Sequence, residues 1–152
     1  MPNRLRAGLK AILLGGLIAG TIDIGAAALI NGLSPITIMQ AVASGLLGKA
    51  AFHGGPSAAA LGMGLQWAMS LVIAAIFVLG ARGIAILRRR WVLGGLAYGV
   101  AIFVVMNYAV MPLSAVGHAP HFTALSFAEN LIAMLLFGLI VAYFARVRSP
   151  AP

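Results

Sequence analysis

The sequence predicts an all-α membrane protein: a bundle of four transmembrane helices with one additional short helix between the first and the second. Composition is the first reason. Of the 152 residues, 62% are hydrophobic and 8% are charged, whereas a soluble domain carries about 25% charged residues on its hydrated surface. The second reason is that the apolar residues form long runs, and a helix of about 20 apolar residues spans a bilayer core of ~30 Å. We therefore expect a single transmembrane domain over residues 1–152.

Each of the four apolar runs is long enough to span a membrane. They cover residues 11–30, 57–79, 91–111 and 122–144. The first run continues past Asp23 to Ile30, which suits a retained helix better than a cleavable signal peptide. The turn-forming residues 54–56 precede the second run, and Pro112 closes the third.

The connection between the first two runs is too apolar for a plain loop. Ser34 is a suitable N-cap and Pro35 suits the first helical position. Apolar residues then recur at helical spacing, at Ile38, Met39, Val42 and Leu46. We expect a short helix over residues 35–50 on the outer side of the membrane. Two placements remain open, a re-entrant helix and an amphipathic helix that lies flat at the interface.

Basic residues predict the orientation of the chain. Nine of the ten fall in three clusters at the ends of apolar runs: Arg4, Arg6 and Lys10; Arg82, Arg88, Arg89 and Arg90; Arg146 and Arg148. Positive residues accumulate on the cytoplasmic side, so both termini are expected in the cytoplasm. The clusters are short, lack interleaved aromatic residues and adjoin the spans, so membrane lipids are the expected partners and nucleic acid is not.

The two halves of the chain share a motif. LGGLIAG (residues 14–20) recurs as LGGLAYG (residues 93–99), each near the start of a span. This predicts two helical hairpins related as parallel repeats, although similar composition alone is an alternative explanation. The motif supplies a helix-packing pattern of small residues, Gly16 with Gly20 and Gly95 with Gly99. Asp23 lies on the same face of the first helix as Gly16 and Gly20, so it is expected to point into the bundle.

Several polar residues interrupt the lipid-compatible pattern. The candidates for binding an ion or a solute are Asp23, Thr21, Lys49, His53, Asn107 and Glu129. At ~1.5 Å per residue, Asp23 and Glu129 lie at similar depths, about 12 Å and about 10 Å from the outer ends of their helices. Lys49, in the outer connection, is the predicted partner of Asp23.

Two functional interpretations of these residues stay open. In the first, the polar cluster binds an ion, a proton or a small solute in a transporter or channel. In the second, Asp23 and Lys49 form a static ion pair that holds the outer helix on the bundle of a structural or accessory subunit. Because a chain of this size encloses little space, a homo-oligomer or a larger membrane complex is expected in either case.

Catalysis finds no support in the sequence. The chain has no cysteine, and no nucleophile–base pair or phosphate-binding glycine loop is present, so an enzyme is not predicted. His118 and His121 have an HxxH spacing without a nearby acid, so no metal site is predicted. None of the three histidines lies well inside a span, where a haem ligand would be needed. No cofactor is expected.

Three segments are the most distinctive parts of the chain. They are GTIDI in the first span, SGLLGKAAFHGG in the outer connection and WVLGGLAYGVAIFVVMNYAVMPLS in the third span. Together they resemble a family of small uncharacterised bacterial inner-membrane proteins, a domain of unknown function. The likeness extends from about Gly15 to Arg146, and its most specific parts are Thr21 with Asp23 and the stretch 45–52. The resemblance implies four membrane helices in a bacterial inner membrane and assigns no substrate.

Overall fold

The computed structural model describes the backbone of residues 2–148 and the side chains of residues 5–147 other than 85 and 88. Within this range the protein is helical and has no strands. The helices are α1 (Pro2–Asn31), α2 (Pro35–Leu47), α3 (Gly55–Gly83), α4 (Ala85–Arg89), α5 (Trp91–Val105), α6 (Met111–Leu113) and α7 (Ala124–Arg148). A 3-10 helix covers Gly48–His53, and a π-helical turn over Met106–Val110 joins α5 to α6.

The prediction of an all-α protein with four membrane-length helices is confirmed. The segments long and apolar enough to cross a membrane are Leu5–Asn31, Gly55–Gly83, Trp91–Leu113 and Ala124–Val147. The third is composed of α5, the π-helical turn and α6. These helices extend beyond the apolar runs at most of their ends, because a helix continues into the polar interface after its hydrocarbon-spanning part ends.

The four long helices surround one core. α1 packs between α3 and α7, and α5 packs on α7. α5 also reaches α3, because the Tyr98 hydroxyl donates a hydrogen bond of 2.7 Å to the carbonyl of Ile73. The Tyr98 ring lies 5.0 Å from that of Phe77, measured between centroids. The order around the bundle is therefore α3, α1, α7, α5.

Small residues dominate the contacts between these helices. The core contains six alanines, together with Phe77, Val78, Ile102, Phe137 and Val141; the alanines are Ala11, Ala19, Ala74, Ala81, Ala142 and Ala145. Side chains of this size let helix backbones approach closely, which favours association in lipid through van der Waals contact. The core is thus built from close backbone contacts more than from bulky side chains.

The repeated glycines lie at equivalent places in the two hairpins. A Cβ atom added to Gly16 would lie 3.0 Å from the Ser70 carbonyl oxygen of α3. One added to Gly99 would lie 2.6 Å from the Met134 carbonyl oxygen and 2.7 Å from the Cα atom of Leu135, both in α7. In each hairpin, the glycines of the first helix therefore contact the backbone of the second.

α2 packs on one end of the bundle, here called the α2 end; the opposite end, which carries the arginines, is the arginine end. Ser34 caps α2, since its Oγ accepts a hydrogen bond from the Thr37 backbone amide at 3.2 Å. Ile38 is only 8% exposed and packs with Ile24 and Ala28 of α1. On the other side, α2 rests on Gly62 of α3. α2 thus contacts turns of both helices that lie well inside their ends.

The end of α2 differs from the sequence prediction of a helix over residues 35–50. The α-helix stops at Leu47, because Gly48 has φ +58°, a left-handed conformation that ends a helix and favours glycine. The chain then continues as the 3-10 helix. The loop after α6 is attached to α2, because the Ala115 backbone amide of that loop donates a 2.9 Å hydrogen bond to the carbonyl of Gly45.

The third membrane-length helix ends later than the predicted residue 111 and contains an irregularity. Pro112 has no N–H to donate and its ring crowds the carbonyl four residues earlier. The helix accommodates this with the π-helical turn, in which the Met111 amide bonds to the carbonyl of Met106. It continues to Leu113, so the proline lies inside its last turn.

Candidate functional site

The polar contact at the centre of the candidate site joins α1 to α3. Gln66 Nε2 donates a hydrogen bond of 2.8 Å to Asp23 Oδ2. The same nitrogen lies 3.5 Å from the Gly20 carbonyl oxygen. Asp23 is partly buried, as its place on the face of Gly16 and Gly20 predicted. That face is turned toward α3, because Gly16 and Gly20 both contact Ser70.

A second hydrogen bond between the same two helices lies beside the first. Trp67 Nε1 donates to Thr21 Oγ1 at 3.1 Å, and that hydroxyl donates to the carbonyl of Leu17 at 2.8 Å. Thr21 and Trp67 are both exposed on the bundle surface. The adjacent pairs Asp23–Gln66 and Thr21–Trp67 therefore form one polar seam, here called the α1–α3 seam. The seam is partly buried on one side and reaches the surface on the other.

The predicted pairing of Asp23 with Lys49 is wrong. Lys49 lies in the 3-10 helix, where its side chain is exposed, and Asp23 is bonded to Gln66 instead. The reason is local: α2 ends at Leu47, before the predicted residue 50, and Lys49 belongs to the 3-10 helix that follows. His53 ends the same 3-10 helix and is also exposed. A long lysine chain of this kind keeps its ammonium group in a polar environment.

The remaining candidates are not part of the seam. Asn107 lies in the π-helical turn and donates to the carbonyl of Phe103 at 2.8 Å, within its own helix. Glu129 lies on α7, one of the two helices that flank α1. It shares a helical stripe with Leu125, Ile132 and Leu136, which are 68%, 64% and 44% exposed. The similar depth of the two acids stays a prediction; Asp23 is hydrogen-bonded to Gln66 of α3.

Metal-ligating side chains are not clustered in the part of the chain that the structure describes. No group of three or more metal-ligating side chains occurs there. His118 and His121 stack on each other with ring centroids 6.2 Å apart in the loop between α6 and α7. His118 Nδ1 lies 3.0 Å from the carbonyl of Ala119.

Comparisons with family models, with curated protein sequences and with solved structures give no match to this chain. The resemblance to a family of small bacterial inner-membrane proteins stays a prediction.

The α1 side of the seam was predicted from the sequence more completely than the α3 side. The predicted ion- or solute-binding candidates included Thr21 and Asp23 of α1 but neither Gln66 nor Trp67 of α3. A signal was available: Thr21 and Asp23 on α1 face a Gln-Trp dipeptide at residues 66–67. Both are side-chain donors, and donors in a membrane helix need acceptors. Neighbouring donors on one helix and neighbouring acceptors on another favour a paired contact.

Proposed function

We propose that this protein is a small bacterial inner-membrane transport protein whose seam residue Asp23 binds a proton or a small cation. One observation supports this. Among the side chains that the structure describes, the partner of the Asp23 carboxylate is the neutral amide of Gln66. A carboxylate inside a membrane that lacks a cationic partner is stabilised by binding a proton or a cation.

The surface position of the seam indicates where a pathway would run. The core of the bundle is closed by alanines and larger apolar residues, which makes it a poor route for a polar solute. Thr21 and Trp67, by contrast, place the seam at the exposed edge between α1 and α3. We propose that a second copy covers this edge and that the pathway lies between copies in a homo-oligomer. The three arginine-containing clusters favour cytoplasmic termini.

Ion flux into proteoliposomes tests this proposal. The purified protein is reconstituted, and proton entry is followed with a trapped pH-sensitive dye under gradients of Na⁺, of K⁺ and of protons alone. Asp23→Asn keeps the shape of the side chain and a partner for Gln66 while removing the charge. We expect it to reduce flux at least tenfold. Glu129→Gln is the matched control, because it removes the other carboxylate, from α7, and should leave flux within about twofold of the wild type.

The result is interpretable only if the variants fold. Helical content and elution volume in detergent should match the wild type for both. Wild-type vesicles without flux under all three gradients would contradict the proposal. So would an Asp23→Asn variant that transports as well as the wild type.

A different observation favours a second function, that of a structural or accessory subunit without enzymatic activity. Thr21 donates to the carbonyl of Leu17, Asn107 to that of Phe103 and Asn130 to that of Ser126, each within its own helix. Polar groups bonded in this way have their donors satisfied within the helix and leave few donors for a solute. In this function, Asp23→Asn lowers the thermal stability of the bundle and the yield of a partner subunit that co-purifies from native membranes. The wild type then shows no flux in proteoliposomes.

A further inference from the structure

An apolar groove runs between α3 and α5 at the arginine end of the bundle. Its volume is about 300 Å³, and it is lined by Ile76, Phe77, Gly80, Leu87, Gly94, Ala97, Tyr98 and Ala101. This volume is at the lower end of the range for pockets that hold small ligands. It is also about twice that of an engineered apolar cavity that binds benzene. The groove is therefore large enough to hold a hydrocarbon ligand.

The residues of the groove explain its shape. Tyr98 spans the gap between α5 and α3, and beyond it the facing positions are small, with Gly80 on one wall and Gly94 and Ala97 on the other. The Tyr98 hydroxyl is already bonded to the carbonyl of Ile73. The groove therefore offers a ligand hydrocarbon contact and no free polar side chain. Ala97 and Ala101 are exposed at its rim, so it opens sideways, toward the lipid that surrounds the bundle.

The charge at the adjoining end of the groove is strongly positive. Arg89 and Arg90 are exposed, and the Gly94 amide of the groove wall bonds to the Arg90 carbonyl at 2.9 Å. Arg90 thus lies about one helical turn, ~6 Å along the axis, before Gly94. Arg89 precedes it at the end of α4. The only two acidic side chains of the chain are Asp23 and Glu129, and both lie in the half of the bundle nearer α2. No acidic side chain of this chain is placed to neutralise these arginines.

We propose that the groove binds one acyl chain of an anionic phospholipid whose phosphate group is held by Arg89 and Arg90. The hydrocarbon lining selects an acyl chain, the opening faces the bilayer, and the unneutralised arginines select a negative headgroup. Lys and Arg near a membrane surface each contribute about 1 kcal/mol to the attraction of anionic lipid. This site is separate from the α1–α3 seam and does not depend on transport.

Native mass spectrometry of lipid retained in detergent tests the proposal. The full-length protein is incubated with equal amounts of phosphatidylglycerol and phosphatidylcholine, then stripped of loosely bound lipid. We expect the wild type to retain one phosphatidylglycerol. Gly80→Leu fills the groove without strain, since a Cβ atom added there has no neighbour within 4 Å, and it should reduce retention at least fivefold. Gly83→Leu is the matched control: Gly83 is also open and in the same helix but does not line the groove.

The headgroup contact is tested separately from the groove. Arg89→Gln with Arg90→Gln should lower the preference for phosphatidylglycerol by roughly fivefold for each arginine removed. Lys10→Gln removes a basic residue from α1 at the same end and should leave the preference unchanged. Equal retention of the two lipids by the wild type would overturn the proposal, as would wild-type retention by Gly80→Leu. If Gly80→Leu does not fold, Ala101→Phe fills the groove from its exposed rim and decides the same point.

Discussion

The Gln66 side chain donates a hydrogen bond of 2.8 Å to Asp23 and so joins α3 to α1 inside the bundle. Gln66→Leu keeps much of the side-chain volume and removes the donor, which leaves the carboxylate without its partner. We expect the free energy of unfolding to fall by about 1–2 kcal/mol. The measurement is equilibrium unfolding in mixed micelles with increasing SDS, followed by circular dichroism.

The control for this change is Asn130→Leu. The Asn130 amide bonds to the Ser126 carbonyl of its own helix, so its loss breaks no contact between helices. A loss of less than about 0.5 kcal/mol is expected, the range of most substitutions away from buried networks. Equal losses for the two variants would show that the Asp23–Gln66 bond does not hold α1 and α3 together.

Gly99→Ala tests the close contact between α5 and α7. The added methyl group would lie 2.6 Å from the Met134 carbonyl oxygen and 2.7 Å from the Leu135 Cα atom, and backbone atoms cannot move aside as a flexible side chain can. Overpacking of this kind costs about 1–3 kcal/mol. Gly64→Ala has open space around it and should be neutral, or more stable by up to about 1 kcal/mol because alanine favours the helix. Thermal melting in detergent that ranks the two variants in the opposite order would refute the packing argument.

Gly62→Ala is expected to displace α2 from the bundle. A methyl group at this position would overlap the Met39 backbone carbonyl, so α2 must move outward. The chain has no cysteine, which lets Ile38→Cys act as a single reporter on a side chain that is 8% exposed. Maleimide labelling of this cysteine should accelerate several-fold in the Gly62→Ala background. In a Gly64→Ala background the labelling should stay slow. Fast labelling in that background too would show that α2 does not pack stably on the bundle.

The orientation of the chain is testable with fusions. Because the basic clusters lie at the arginine end, green fluorescent protein fused after the C-terminus should fluoresce in the cytoplasm. Alkaline phosphatase inserted after Gly117, in the loop between α6 and α7, should be active because that loop is expected outside. Phosphatase activity of a C-terminal fusion together with an inactive loop insertion would reverse the predicted topology.

Local features of the sequence predicted most of the architecture. Each long apolar run is a helix because lipid offers no hydrogen-bond partners, so the backbone must satisfy its own. The cap of α2 at Ser34 was also readable, since it depends on residues three positions apart. The ends of the helices were predicted less accurately. The ends of α2 and of the third membrane-length helix depend on a glycine with φ +58° and on the accommodation of Pro112 by a π-helical turn.

The candidate site was predicted less completely than the fold. The face of Asp23 followed from its spacing to Gly16 and Gly20, and this placed it correctly inside the helix contacts. The choice of Lys49 as its partner was wrong because opposite charge and a place in the outer connection do not determine which side chains meet. Between two helices, the partner of a side chain is decided by which residue stands opposite at the same level, and here that residue is Gln66.

The sequence by itself thus determined that the protein lies in a membrane, that it has four long helices and which small residues they pack through. These properties depend on hydrophobicity, length and spacing, which are features of each segment alone. Only the tertiary structure decided that Asp23 meets Gln66, that Thr21 meets Trp67 and that a groove lies between α3 and α5. Those contacts join residues 25 to 46 positions apart, and they depend on how each helix is rotated and shifted against its neighbour. Rotation and shift are set by the fit of all packed side chains at once.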